Sequence, residues 1–196
     1  MVFILEIVLF LFLLFSSHDA FASDVPTEKD RKQVMDQYLS EFCSLQGFPK
    51  IFTAIQDVLM RMPYKDFLIV TNRQRPVIFM EVYDSGTARF ASSQELIIDK
   101  KDEPCCREGF TVIKLGLGLD GAKDSVPIKG VVAHELAHRV LDHIRKGYVN
   151  CDAERQANRL IKKWGFGKEF LEASRVFGQR KGDPAGCQEK NSVEKK

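Results

Sequence analysis

The chain has 196 residues, which is enough for one domain with a hydrophobic core and short for two. Hydrophobic residues make up 44% and charged residues 29% of the sequence, a balance that excludes a largely disordered or low-complexity protein. The formal net charge is only +2 at pH 7, and the lysines near the end of the chain are typical of a solvated tail. We therefore expect no nucleic-acid partner.

The N-terminal segment has the pattern of a targeting sequence. Residues 2–15 form a nearly unbroken apolar run, which the small residues Ala20 and Ala22 follow. This pattern predicts a secretory signal peptide over residues 1–22, cleaved after Ala22. Two features depart from the pattern of a signal peptide, since no Lys or Arg precedes the run and Glu6 interrupts it. A retained membrane anchor is therefore the alternative, although the run is shorter than the ~20 residues that span a bilayer. We expect a secreted or periplasmic protein, or one close to a membrane if the segment is not cleaved.

The cysteines of a secreted chain enter an oxidising compartment, where disulfides form. Their odd number leaves at least one unpaired in the monomer. No two of them have the two- to four-residue gap of a zinc ribbon, so we expect stabilising disulfides and no cysteine metal site. The five are Cys43, Cys105, Cys106, Cys151 and Cys187.

Two helices are predicted at the start of the mature chain. A helix start signal lies at residues 27–30, and apolar residues at helical spacing follow it within residues 24–47. Pro49 then fits the first turn of a second helix, whose apolar residues run from Ile51 to Met62.

The next segment has a different residue pattern, in which short apolar runs alternate with Pro, Gly, Ser and Asp. Such runs are typical of β-strands bounded by turns. Together they predict a small sheet, mainly antiparallel and with hairpin connections. The runs are residues 67–70, 77–80, 88–91, 96–98 and 110–113.

Three further helices are predicted after the sheet. The first has Pro127 in its first turn, and its apolar residues continue to Ile144. Two more are predicted over about residues 152–164 and 168–177.

The order of helices, strands and helices predicts an α+β fold. One domain would occupy residues 23–178, after the signal peptide. The residues beyond it, 179–196, are polar and are predicted to form a flexible tail.

Two histidines four residues apart, His134 and His138, fall within one of the predicted helices. Their directions differ by about 40°, so their rings converge on one point. Neutral imidazoles bind zinc well, and two of them on one helix supply half of a tetrahedral site. Glu135 points about 100° away from His134, beside the metal, where it can serve as general base for a zinc-activated water.

The motif needs a third ligand to make a catalytic zinc site. His143 is a candidate by residue type, but on a continuous helix it points about 140° away from His138. Glu154 is the better candidate, because the following helix presents it on one face with Asn158, and it would complete a two-His, one-Glu site. His143 would then pack behind the ligands, and Asp142, on the face of His138, could orient that ring.

The motif residues occur in two groups, His134-Glu135-Leu136-Ala137-His138 with His143, and Glu154-Arg155-Gln156-Ala157-Asn158. They resemble the gluzincin family of CAAX prenyl endopeptidases, heat-shock membrane proteases and their periplasmic and mitochondrial quality-control relatives. The resemblance covers about residues 113–166. It implies a zincin-like fold, the zinc ligands His134, His138 and Glu154, and Glu135 as catalytic base. It also implies an edge strand near residues 88–91 that would pair with an extended substrate.

Two positions depart from the family pattern. Asn158 stands where the family has Asp, and Gln156 stands where it has Glu. Asn keeps an acceptor oxygen for a ligand histidine but lacks the charge. The first hypothesis is therefore a zinc endopeptidase that acts on extended or misfolded polypeptides. The alternative is a zincin-fold binding or chaperone-like module that holds zinc but cleaves little, and the third is a secreted α+β domain with an accidental motif.

Overall fold

The computed structural model describes residues 27–82, 91–96, 106–146 and 150–178. The chain divides into two compact units, Met1–Gln33 and Val34–Lys196, and the boundary falls within the first helix. The predicted signal peptide, the predicted tail and most of the predicted strand at residues 88–91 lie outside the described residues.

Three helices come first along the described chain. They are α1 (Glu28–Phe42), α2 (Pro49–Arg61) and α3 (Tyr64–Val70). Reciprocal hydrogen bonds fix the start of α1: the Thr27 backbone N–H donates to the Asp30 carboxylate at 3.0 Å, and the Asp30 N–H donates to the Thr27 hydroxyl at 3.2 Å. The two helices predicted for this part of the sequence are confirmed.

The run at residues 67–70 was predicted as a strand, and this prediction is wrong, because the run lies in α3. Phe67 and Val70 are buried at helical spacing, whereas Leu68 and Ile69 between them are exposed. A strand would have buried every second residue. The buried carboxylate of Asp66 also accepts a hydrogen bond from the Trp164 indole N–H at 2.8 Å, which fixes the inner face of this short helix.

The sheet has three strands, β1 (Val77–Val82), β2 (Ala91–Leu96) and β3 (Phe110–Gly116), in the order β1-β3-β2. β3 pairs in parallel with β1 and antiparallel with β2, so the sheet is mixed and not mainly antiparallel as predicted. Local alternation of residues cannot show which strands are neighbours. The burial of Thr111, Val112 and Ile113 in a row reflects the central place of β3.

Three helices follow the sheet, α4 (Val126–Val140), α5 (Cys151–Lys163) and α6 (Gly167–Phe177), and together with the sheet they give the α+β fold that the sequence predicts. α4 lies at the centre of this unit and contacts α2, α3, α5, α6 and β2. It ends before Ile144, where the sequence pattern had extended it, because the chain turns at Asp142 with φ of 58°.

Two further features concern membrane insertion and the state of the cysteines. In the part of the chain that the structure describes, no helix combines the length and the apolar character needed to cross a bilayer. Cys106 and Cys151 each take part in a disulfide. Cys43 is a buried free thiol, and its burial raises its pKa to about 11, so it stays protonated and unreactive.

Gly130 lets α4 and α6 approach each other at backbone distance. A Cβ atom at this position would lie 2.4 Å from the carbonyl oxygen of Glu169 and 2.8 Å from Cα of Phe170. Only a residue without a side chain fits such a contact. The close approach brings Phe170 to the helix face that carries His134.

We expect Gly130→Ala to lower the free energy of unfolding by about 3 kcal/mol, the upper end of the usual cost of overpacking. The reason is that backbone atoms, which cannot rotate away, occupy the space of the new methyl group. Gly118→Ala is the matched control, because a Cβ there meets nothing within 4 Å, and we expect it to change stability by less than about 0.5 kcal/mol. Urea unfolding followed by circular dichroism measures both. Equal midpoints for the two variants would contradict the close packing.

Candidate metal centre

Helices α4 and α5 bring the predicted site residues together. α4 carries His134, Glu135 and His138, and α5 carries Glu154 in its first turn. The start of α5 is fixed by Asn150, whose side-chain oxygen accepts hydrogen bonds from the first backbone N–H groups of the helix. The position of Glu154 along the axis of α5, opposite the histidines, is therefore defined.

The three ligand candidates form one compact group. Nε2 of His134 lies 3.1 Å from one carboxylate oxygen of Glu154, and Nε2 of His138 lies 3.4 Å from the other. The two Nε2 atoms are 3.1 Å apart. Tetrahedral ligands at about 2.0–2.1 Å from a metal lie about 3.3 Å from each other, so these separations suit one ion. The group could hold a metal ion, and both histidines in it are buried.

Hydrogen bonds on the far side of each ring fix which nitrogen carries the proton. Nδ1 of His134 lies 3.1 Å from the side-chain oxygen of Asn158, which can only accept, so this Nδ1 is protonated. Nε2 of His143 lies 3.2 Å from the side-chain oxygen of Gln156, so His143 is protonated there. Its Nδ1 is then an acceptor for the Nδ1–H of His138, 3.1 Å away.

This proton arrangement tests whether a metal fits the site. Because both Nδ1 atoms are protonated, the Nε2 lone pairs of His134 and His138 point at each other and at the Glu154 carboxylate. Three electron-rich atoms at hydrogen-bond distance without a proton between them repel one another, and a cation at their centre removes the repulsion. The residues present therefore fit a metal ion.

The charge of Glu154 favours the same conclusion. Burial would raise the pKa of this carboxyl group, but a proton placed between it and His134 or His138 outweighs burial through hydrogen bonding and charge, and lowers the pKa well below its usual range. Glu154 is thus ionised, as a metal ligand must be.

Glu135 lies on the same helix but does not belong to the ligand group. It is almost fully buried, and its carboxylate accepts a hydrogen bond from the Ser93 hydroxyl on β2 at 2.8 Å. Ser93 was not singled out in the sequence, since only the pairing of β2 with β3 and the packing of β2 on α4 bring it to this place.

The other predicted site residues lie around the ligands. Asn158 is next to His134, as expected for a residue that orients it. The ring beside Nδ1 of His138 belongs to His143, whereas the carboxylate of Asp142 pairs with Arg75. Burial lowers the pKa of His143, which favours the neutral acceptor described above.

One further contact could not be predicted from the motif residues. The ring of Phe170, on α6, is stacked on the ring of His134 with centroids 5.4 Å apart and an interplanar angle of 12°. Phe170 comes after all the motif residues, and an aromatic residue in a helix is usually part of the core. Its position covers one side of the His134 ring and limits its rotation.

A scan against protein-family models and searches of the curated proteins and of the solved structures found no significant match to this chain.

Removal of any one ligand should remove most of the metal affinity. We expect His134→Ala, His138→Ala and Glu154→Ala each to weaken binding of Zn²⁺ or Co²⁺ by more than the roughly 10–100-fold that follows loss of a residue outside the ligand shell. Glu172→Ala is the matched control, because Glu172 lies on α6 and pairs with Arg175 instead of the histidines. Titration calorimetry and metal analysis after dialysis give the answer. Unchanged metal affinity in the three variants would contradict the site.

The side chain at position 158 should tune the metal through His134. Asn158→Asp keeps an acceptor oxygen and adds a negative charge, so we expect it to raise metal affinity. Asn158→Leu keeps the size but removes the acceptor, and we expect a loss of about 10-fold or more, within the range known for such partners. The difference between the two variants, measured by competition with a chelator, would vanish if Asn158 did not orient the ring.

Proposed function

We propose that this protein is a zinc-dependent endopeptidase of the secreted or periplasmic space. The observation that carries the proposal is the convergence of His134, His138 and Glu154, next to the buried carboxylate of Glu135 on the same helix. Two imidazoles and one carboxylate are one of the ligand sets found in catalytic zinc sites, which keep a fourth position for water or substrate. The motif resemblance to gluzincins supports the same choice of metal and reaction.

The proposed mechanism assigns one role to each side chain. When bound, zinc would lower the pKa of a water molecule to about 7 and polarise the substrate carbonyl. Glu135 accepts a proton from the water molecule while the water oxygen attacks the carbonyl carbon of the scissile peptide bond. Glu135 then gives this proton to the amine nitrogen as the C–N bond breaks, so the water is divided between the two products. Asn158 and His143 keep the ligand rings in place throughout.

An extended polypeptide is the proposed substrate. Among the described strands, β2 lies at the edge of the sheet beside β3, and it contacts α4. An extended chain can add to such an edge as a further strand. The family resemblance implies this role for a strand near residues 88–91, and Ala91 is the first residue of β2.

A non-catalytic zinc-binding module is the second candidate. Gln156 and Asn158, which lie against His143 and His134, are neutral amides where the resembling family has acids. A neutral partner makes the ligand ring less basic than a carboxylate would. This changes how far a bound metal would lower the pKa of its water. This candidate shares the metal site with the first and differs from it in turnover.

We expect the mature wild-type protein with zinc to cleave unfolded casein, and Glu135→Ala to lower kcat/KM by about 10²–10⁴-fold, the usual contribution of a general base. Zinc content should stay the same, because Glu135 is not a ligand. Fluorescent casein and metal analysis on the same samples measure both quantities.

The control for this experiment is Glu172→Ala, which removes a carboxylate far along the chain from the motif and should cleave as wild type does. If wild type and Glu135→Ala both bind zinc and both leave casein and a broad peptide library intact, the endopeptidase is contradicted and the binding module is correct.

A further inference from the structure

We infer that Ser93 is a positioning residue for Glu135, and that Arg75 holds Ser93 in place by fastening β2 to α4. The inference rests on the proposed function for the role of Glu135. It adds Ser93 from a strand and Arg75 from a loop to a site whose proposed ligands and base all lie on α4 and α5.

The first observation is a direct contact between the strand and the base. The Ser93 hydroxyl donates to Glu135 Oε2 at 2.8 Å, where β2 contacts α4. A glutamate side chain has three rotatable bonds, so a carboxylate that must stay within hydrogen-bond reach of a water needs a partner that fixes it. A neutral hydroxyl does this without cancelling the charge that the base needs.

The second observation is another link two residues further along the strand. Side chains at i and i+2 share one face of a strand, so Glu95 points the same way as Ser93. Its carboxylate pairs with Arg75 and also accepts a hydrogen bond from the Thr111 hydroxyl at 3.0 Å. Arg75 binds Asp142 as well, just beyond the end of α4.

Arg75 is itself fixed to α4. Its carbonyl oxygen accepts a hydrogen bond at 2.9 Å from Arg139, which lies one helical turn after Glu135. Arg75 and Arg139 are both buried, so their polar contacts are shielded from water and strong. β2 and α4 are therefore joined at two levels, by Ser93 to Glu135 and by Glu95 through Arg75 to the end of the helix.

These two links act together on the position of the base. A shift of β2 along α4 would carry Ser93 away from Glu135, and the pairing of Glu95 with Arg75 prevents that shift. Removing one partner of a buried ion pair leaves an unpaired charge and can unfold a protein. Ser93 is the better residue to change, because Ser93→Ala removes one oxygen and leaves the strand and its pairing intact.

The experiment measures binding of acetohydroxamate to the zinc-loaded, full-length mature protein by calorimetry. A hydroxamate binds zinc through its two oxygens and gives its proton to a neighbouring base, so its affinity reports a correctly placed Glu135 without any cleavage. We expect Ser93→Ala to weaken binding about 10-fold, an effect of one hydrogen bond to a charged group. Ser93→Thr keeps the hydroxyl and should bind within about 2-fold of wild type, and zinc content should not change.

Two controls separate positioning from general damage. Ser92→Ala changes the neighbouring serine on the opposite face of β2 and should bind as wild type does. In a Glu135→Ala background, Ser93→Ala should have no further effect, because Ser93 acts only through Glu135. In cleavage assays Ser93→Ala should lower kcat about 10-fold and leave KM unchanged.

The inference is overturned if Ser93→Ala binds acetohydroxamate as wild type does, or if it loses the same affinity with and without Glu135. A protein that takes up no zinc overturns both this inference and the proposed function. A protein that shows the expected binding pattern but cleaves no polypeptide supports the inference and contradicts the endopeptidase alone.

Discussion

The site depends on one electrostatic constraint, the convergence of two histidine lone pairs and one carboxylate on a single point. His134 and His138 can present Nε2 to that point only because Asn158 and His143 accept a hydrogen bond from the Nδ1–H on the other side of each ring. The third member, Glu154, is ionised in spite of its partial burial. Such a group is costly without a positive charge at its centre, so the outer hydrogen bonds shape a binding site for a cation.

The rest of the fold holds α4 so that this point has a defined position. Gly130 lets α6 approach at backbone distance and places Phe170 against the ring of His134. On another side of α4, the buried Arg75 joins Glu95 of β2 to the end of the helix. A helix that is nearly fully buried and fastened on several sides can keep its side chains within the narrow tolerance that metal binding and proton transfer need.

The parts that could be predicted from the sequence are those set by local spacing. The i, i+4 relation of His134 and His138 follows from helix geometry alone, and so do the amphipathic helices and the α+β class. The helix at residues 64–70 was missed because a short run such as Phe67-Leu68-Ile69-Val70 fits both periods, and only tertiary packing decides. The contact of Ser93 with Glu135 and the pairing of Asp142 with Arg75 join residues 42 and 67 positions apart, so they leave no local trace, and neither does the strand order.

The central claim is that a zinc ion binds between α4 and α5, and anomalous diffraction tests it most directly. Crystals grown with zinc would be measured just above and just below the zinc absorption edge. The account predicts one anomalous peak about 2.0–2.2 Å from Nε2 of His134, Nε2 of His138 and a carboxylate oxygen of Glu154. No peak at this point in fully zinc-exchanged crystals, or a peak held by other residues, would contradict it.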